Sequence, residues 1–150
     1  MAKDLASVGI TMNLAPVLDL CDRPDRSIVG DRAFGPDPVK VGELGAAFLR
    51  GTARAGLVAV AKHFPGHGST ADDSHATLPV VTLGRGPELD RHLAPFRAAV
   101  AAGAEAIMTA HILYPALDPR DPATFSAPIV KDLLRKELAF GGVVISDSIG

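Results

Sequence analysis

The sequence predicts a parallel α/β fold, and three observations predict it. Short apolar runs recur at residues 10–15, 57–61, 106–110 and 143–146. They are nearly unbroken by polar residues, as parallel strands covered on both faces require. Between them lie stretches with helical apolar spacing, and strand, loop, helix, strand in repetition means a parallel sheet with helices packed on it. Polar and glycine-rich residues gather just past the strand ends, at 19–31, 62–75, 111–121 and Asp147. In a (β/α)8, TIM-like barrel all such loops open on one face, where the chemistry sits. No GxGxxG or GxxxxGK[ST] follows any strand, so a nucleotide-binding sheet is the weaker expectation.

Each element has its own signal. The first strand is Ile10-Thr11-Met12-Asn13-Leu14-Ala15. Asp37 followed by Pro38 reads as an N-cap with proline at the first helical position. Val41, Leu44, Ala47, Phe48 and Leu49 then give an apolar stripe that runs to Gly51 or Gly56. The second strand is Leu57-Val58-Ala59-Val60-Ala61. A second helix is expected to restart at Pro95 and run through Phe96, Ala99 and Val100 to Gly103, with Leu89 and Leu93 in a short preceding turn, because proline is poor inside a helix. Ala106-Ile107-Met108-Thr109-Ala110 is the third strand. A third helix has Ser126 as its cap, Pro128 in the first turn and Ile129, Leu133, Leu134 and Leu138 on one face. Gly141 and Gly142 end it, and Val143-Val144-Ile145-Ser146 is the fourth strand.

A closed barrel of this kind has eight strands, and four are legible. The 150 residues therefore read as one partial domain with two parallel edge strands exposed. A complete small open sheet is the alternative. The composition, 47% hydrophobic with a formal charge of −2, supports a packed core and argues against nucleic acid or an anionic membrane surface as partner. No apolar run is long enough for a membrane span. Met1-Ala2-Lys3-Asp4 is not followed by the apolar core of a signal peptide, so a cytoplasmic location is expected, with export as the alternative if a signal lies upstream. Cys21 stands alone, which excludes an internal disulfide and a cysteine-rich zinc site.

Histidines concentrate at His63, His67 and His75. His63 and His67 are four apart, as in a helical zinc motif, but Pro65 and Gly66 separate them and no glutamate base lies between. No metal and no cofactor are expected. Asp73-Ser74-His75 admits acid/base chemistry, because a nearby carboxylate fixes an imidazole's tautomer and favours its charged form. A loop histidine beside a capping aspartate is the plainer alternative. Asp147 ends a buried strand and suits a nucleophile or an electrostatic partner for an oxocarbenium-like transition state, or equally the N-cap of a following helix. Lys62 and His63 also end a buried strand, where a lysine is costly unless it points into a polar site. Both can donate to hydroxyls, as can Arg32.

Lys62-His63-Phe64-Pro65-Gly66-His67-Gly68, followed by Asp73-Ser74-His75 and Leu78-Pro79, resembles the signature of family 3 glycoside hydrolases in their β-N-acetylglucosaminidase branch. Leu14-Ala15-Pro16-Val17-Leu18-Asp19, Asp31-Arg32-Ala33-Phe34-Gly35, Ala106 to His111 and Val144 to Ser148 extend the resemblance along the chain. It implies strands four to seven of a (β/α)8-like barrel. It implies that Asp147 is the nucleophile, His75 the general acid/base, Asp73 its partner, and that Arg32, Lys62 and His63 hold an N-acetylglucosamine ring. The implied reaction is a retaining double displacement on terminal β-linked N-acetylglucosamine, the implied substrates being cell-wall muropeptides, with Asp73 and His75 on a loop that swings in and Gly66 and Gly68 as hinges. Two departures stand out. The family's earlier strands, which supply a further acidic sugar ligand, have no counterpart, so activity of this segment alone is in question. Asp147-Ser148 replaces a common pair of aspartates. Transfer to phosphate instead of water, a non-catalytic sugar-binding module and a metal-dependent hydrolase are the competing functions.

Overall fold

A computed structural model describes residues 1–67 and 78–149. Four parallel strands form one sheet in the order β1-β2-β3-β4: Met12–Asn13, Val58–Phe64, Ala106–Thr109 and Val143–Ser146. Spatial order follows chain order, as in a barrel wound one βα unit at a time. β1 and β4 are the two edges, in agreement with the expectation of a partial barrel. The chain also opens on a short helix, α1 (Ala2–Ser7), which no sequence signal indicated.

The strand bounds differ from expectation where polar groups intervene. β1 is two residues long because Pro16 has no N–H to continue a ladder. Its neighbourhood to β2 nevertheless continues, through Lys62 N–H to the Pro16 carbonyl at 3.0 Å and an isolated bridge between Val17 and Lys62. Ile10, Met12 and Leu14 are exposed, not buried as expected. β2 runs three residues further than the apolar run, through Lys62, His63 and Phe64. The Ala15–Pro16, Lys62–His63 and Phe64–Pro65 peptides are cis.

α2 (Pro38–Ala53) begins where the sequence placed it: the Asp37 carboxylate accepts from Val39 N–H and Lys40 N–H at 2.9 and 3.3 Å. α3 spans Pro87–Ala101 and does not restart at Pro95. Proline costs the helix one hydrogen bond to the Arg91 carbonyl. Leu89, Leu93, Phe96 and Ala99 lie on one stripe and are all buried in the main core, and that burial holds the helix through the proline. α2 makes room for it: a Cβ on Gly42 would lie 3.0 Å from Ala98 Cβ and 3.6 Å from Pro95 Cα. The last helix, Pro128–Glu137, is wound as a π helix, with Leu138 N–H on the Leu133 carbonyl at 2.9 Å. Ser126 caps it, accepting from Ile129 N–H at 3.2 Å.

Two cores flank the sheet. On the helix side Ala59, Ala61 and Ile107 pack with Leu49, Phe96, Ala99, Ile129 and Leu134. On the other side Val60, Ala106 and Met108 pack with Val58 and Ile145. By strand alternation Lys62 belongs with Val58 and Val60 on the second face. Simple alternation would also put His63 in the helix layer and Phe64 opposite it. The register between β2 and β3 is broken between Ala61 and Phe64. Phe64 is consequently in the helix-side core, edge-to-face on Phe96 with centroids 5.3 Å apart, and His63 is free to face the strand ends. This seam sets the strength of the fold. Phe96→Ala should lower the unfolding free energy by about 3–5 kcal/mol, read from urea unfolding of the full-length protein; a loss below about 1 kcal/mol would mean that Phe96 is not the packing centre.

Candidate active site

The site is built from the C-terminal ends of the strands around Asp19, which follows β1 and sits in a run of buried residues from Pro16 to Cys21. Its side chain is fully buried. A buried carboxylate survives only if donors surround it. Here the His63 amide approaches both of its oxygens at 3.3 and 3.2 Å, His63 Nδ1 donates to Oδ2 at 2.7 Å, and the His67 amide donates to Oδ1. Burial pushes the Asp19 pKa up, but these bonds and the two histidines together carry it below the ordinary carboxylate range. Asp19 is therefore ionised, accepts only, and requires a proton on His63 Nδ1.

With Nδ1 fixed, His63 Nε2 points across the strand ends to Asp147 Oδ2 at 3.7 Å. Asp147 directly follows β4 and its side chain is 17% exposed. Its amide donates to the Thr109 carbonyl at the end of β3 at 3.2 Å, and its Oδ1 accepts from Ser148 N–H at 2.8 Å. Lys62 is half-buried on the same side; burial lowers its pKa, the carboxylates of Asp147 and Asp19 oppose that, and the Arg32 cation adds to it. Lys62 is therefore within electrostatic reach of two carboxylates and a guanidinium. Arg32 itself is exposed at the end of a 3-10 turn, Gly30–Arg32, and donates from Nε and Nη2 to the Val29 and Ile28 carbonyls at 3.2 and 2.9 Å.

Lys62, His63 and Asp147 are thus brought together, with Arg32 at the rim. Asp73 and His75 lie outside the described residues. Among the described residues no group of three or more metal-ligating side chains converges, and His63 and His67 meet edge-on with centroids 5.8 Å apart. His67 is buried, which lowers its pKa against the opposing pull of Asp19.

Gly66 does not match the expectation of a hinge. Its amide donates to the His63 carbonyl at 2.8 Å, its carbonyl accepts from the buried Tyr114 hydroxyl, and a Cβ there would touch the His92 side chain at 3.4 Å. Its φ of +135° is one that glycine alone tolerates well. Burial, and then the Asp19 charge, push the Tyr114 pKa up, so the phenol stays a neutral donor. The turn from His63 to His67 is a fixed platform.

Sequence reasoning gave Asp19 no role of its own. The available signal was its place among residues that are apolar on both sides, which forces a carboxylate indoors. The links from Tyr114 to the Gly66 carbonyl and from His111 to the Ser148 carbonyl had no signal, because they join residues 48 and 37 positions apart.

Asp19 dictates an acid dependence. A carboxylate with a depressed pKa adds stability that is full above its unfolded value of 3.8 and is lost as pH falls towards its folded value. Asp19→Asn in the full-length protein should be destabilised by about 1.5–3 kcal/mol at neutral pH, the worth of hydrogen bonds to a charged group. It should also lose stability less steeply below about pH 4. Melting temperatures measured from neutral to acid pH check both; parallel acid limbs would contradict the assignment.

The geometry has close parallels. The profile of the glycosyl hydrolase family 3 N terminal domain matches residues 1–150. The β-hexosaminidase of Stenotrophomonas maltophilia (strain K279a) is 43% identical over 150 residues, covering 100% of this chain and 44% of that protein. That of Nitrosomonas eutropha is 41% identical over 149 residues, covering 99% and 42%. The chain therefore spans less than half the length of these relatives. Among solved structures, a family 3 β-N-acetylglucosaminidase from Paenibacillus sp. str. FPU-7 superposes with a TM-score of 0.94 at 46% identity, over 99% of this chain and 28% of that one. NagZ from Neisseria gonorrhoeae, in complex with N-trifluoroacetyl-D-glucosamine, superposes with a TM-score of 0.89 at 39% identity, over 97% and 42%. A match along the whole chain, in sequence and in fold, makes this chain a member of the glycosyl hydrolase family 3 N-terminal domain family.

Proposed function

We propose that the protein carrying this chain is a retaining glycoside hydrolase that removes terminal β-linked N-acetylglucosamine, and that this chain supplies its nucleophile and much of its sugar cradle. The observation that carries the proposal is the placement of Asp147: a partly exposed carboxylate at a strand end, aimed at an imidazole that a buried carboxylate holds in one orientation. The relatives named β-hexosaminidase and the NagZ complex with an N-acyl glucosamine support the choice of sugar. Muropeptides from peptidoglycan are the proposed natural source, in the cytoplasm. Strands beyond these four are proposed to complete the barrel and to supply the rest of the sugar contacts.

The proposed chemistry is a double displacement. Asp147 Oδ2 attacks the anomeric carbon as the glycosidic C–O bond breaks, and His75 gives a proton to the departing oxygen. The glycosyl-aspartate is then attacked by water, which gives its proton to His75 and releases the sugar with its configuration retained. Asp73 orients His75. Lys62, His63 and Arg32 bind ring substituents. Asp19 never touches substrate in this scheme. It holds His63, which leaves Nε2 for the sugar. No step needs a metal or a cofactor.

Asp147→Ala in the full-length protein should reduce release of 4-nitrophenol from its β-N-acetylglucosaminide by about 1000-fold or more. A slow fluorosugar substrate should add one glycosyl mass to a peptide containing Asp147. Wild-type turnover by the variant, or an adduct elsewhere, would contradict the assignment. In phosphate buffer the product should remain free N-acetylglucosamine; accumulation of the sugar 1-phosphate would identify a phosphorylase instead. Lys62→Met should raise KM about 10-fold or more with a smaller change in kcat, as the loss of a contact made in both ground and transition states does.

A further inference from the structure

The turn that carries Asp147 is held by a hydrogen-bond chain that starts on the neighbouring strand. Thr109 Oγ1, at the end of β3, lies 3.1 Å from Thr124 Oγ1. Thr124 Oγ1 lies 2.9 Å from His111 Nδ1 and 3.0 Å from the Ala110 carbonyl. His111 Nε2 lies 2.9 Å from the Ser148 carbonyl. A carbonyl only accepts, so Nε2 carries a proton and donates. In the neutral ring Nδ1 then accepts from the Thr124 hydroxyl. In the charged ring Nδ1–H donates to Thr124, whose own proton turns to the Ala110 carbonyl. The partners fit both states, and in both the bond from Nε2 to Ser148 is kept.

Ser148 is therefore gripped on both sides. Its carbonyl accepts from His111, and its amide donates to Asp147 Oδ1 at 2.8 Å. That leaves Asp147 Oδ2 as the oxygen that faces His63 Nε2.

We propose that His111 is a positioning residue for Asp147: by anchoring the Ser148 carbonyl through Nε2 it orients the Ser148 amide, which engages Oδ1 and aims Oδ2 at the reacting carbon. This deepens the proposed function and rests on Asp147 being the nucleophile. Thr124 and Thr109 set the ring's angle. His111 itself touches no substrate.

The test uses the full-length protein with 4-nitrophenyl β-N-acetylglucosaminide and compares Asp147→Ala, His111→Asn and His111→Gln. The glutamine amide nitrogen reaches where imidazole Nε2 lies; asparagine matches Nδ1 only and leaves Ser148 unheld. Displacing a nucleophile slightly is costly for the chemical step, so His111→Asn should lower kcat about 10-fold or more, leave the inhibition constant for N-acetylglucosamine within about 2-fold, and His111→Gln should stay within about 3-fold of wild type in kcat. A wild-type kcat for His111→Asn, equal losses in both variants, or a loss confined to N-acetylglucosamine binding would overturn the positioning role. Should His111→Asn fail to fold, Thr124→Val, which keeps the imidazole but releases Nδ1, must show the same kcat loss without a binding loss, and wild-type kcat there would overturn it. An inactive Asp147→Ala beside an unimpaired His111→Asn removes this proposal alone, whereas an active Asp147→Ala removes the nucleophile assignment and this proposal with it.

Discussion

The buried Asp19 carboxylate is the constraint on which the site depends. One charge taken out of water is tolerable only because three N–H groups, two from His63 and one from His67, converge on it. The same bonds do the positioning. They fix the turn after β2, decide which nitrogen of His63 bears a proton, and so decide which nitrogen is presented to Asp147. Removing any one donor would leave part of a buried charge unsatisfied, which is more expensive than losing an ordinary hydrogen bond. Stability and function are therefore not separable at this carboxylate.

That core is fitted to the same turn. The register break in β2 sends Phe64 into the helix layer against Phe96 and lets Lys62 and His63 both serve the strand ends. A regular strand would have given the site only one of them. Tyr114 closes the arrangement from the β3 side through the Gly66 carbonyl, and His111 ties the β3 side to the turn after β4. The described strand-end turns are thus bonded one to the next, and Asp147 is placed relative to His63 by several links.

Much of this was legible in the sequence, and the limits have physical causes. Apolar runs located four strands, because parallel strands buried on both faces leave an unbroken signal. Asp37-Pro38 and Ser126 located two helix starts through hydrogen bonds that a side chain makes to its own neighbourhood. Pro95 misled: its local cost is outweighed by a stripe of buried side chains that only the tertiary fold makes visible. β1 is shorter than its apolar run, and Ile10, Met12 and Leu14 are exposed along a sheet edge. Lys62, His63 and Asp147 stood out as polar groups at the ends of buried strands. Asp19 did not, because its meaning lies in donors more than forty residues away. Asp73 and His75 rest on the motif and on no observed geometry.

The most direct test of the account is the protonation of the His63 ring in the full-length protein, read by nitrogen-15 NMR of the imidazole with Asp19→Ala as the assignment control. Asp19 as an ionised acceptor requires that Nδ1 bears a proton in a strong hydrogen bond at neutral pH, and that this signal is lost when Asp19 is replaced. A His63 ring protonated on Nε2 alone would contradict it, because the carboxylate would then face a lone pair and could not be what orients the imidazole towards Asp147.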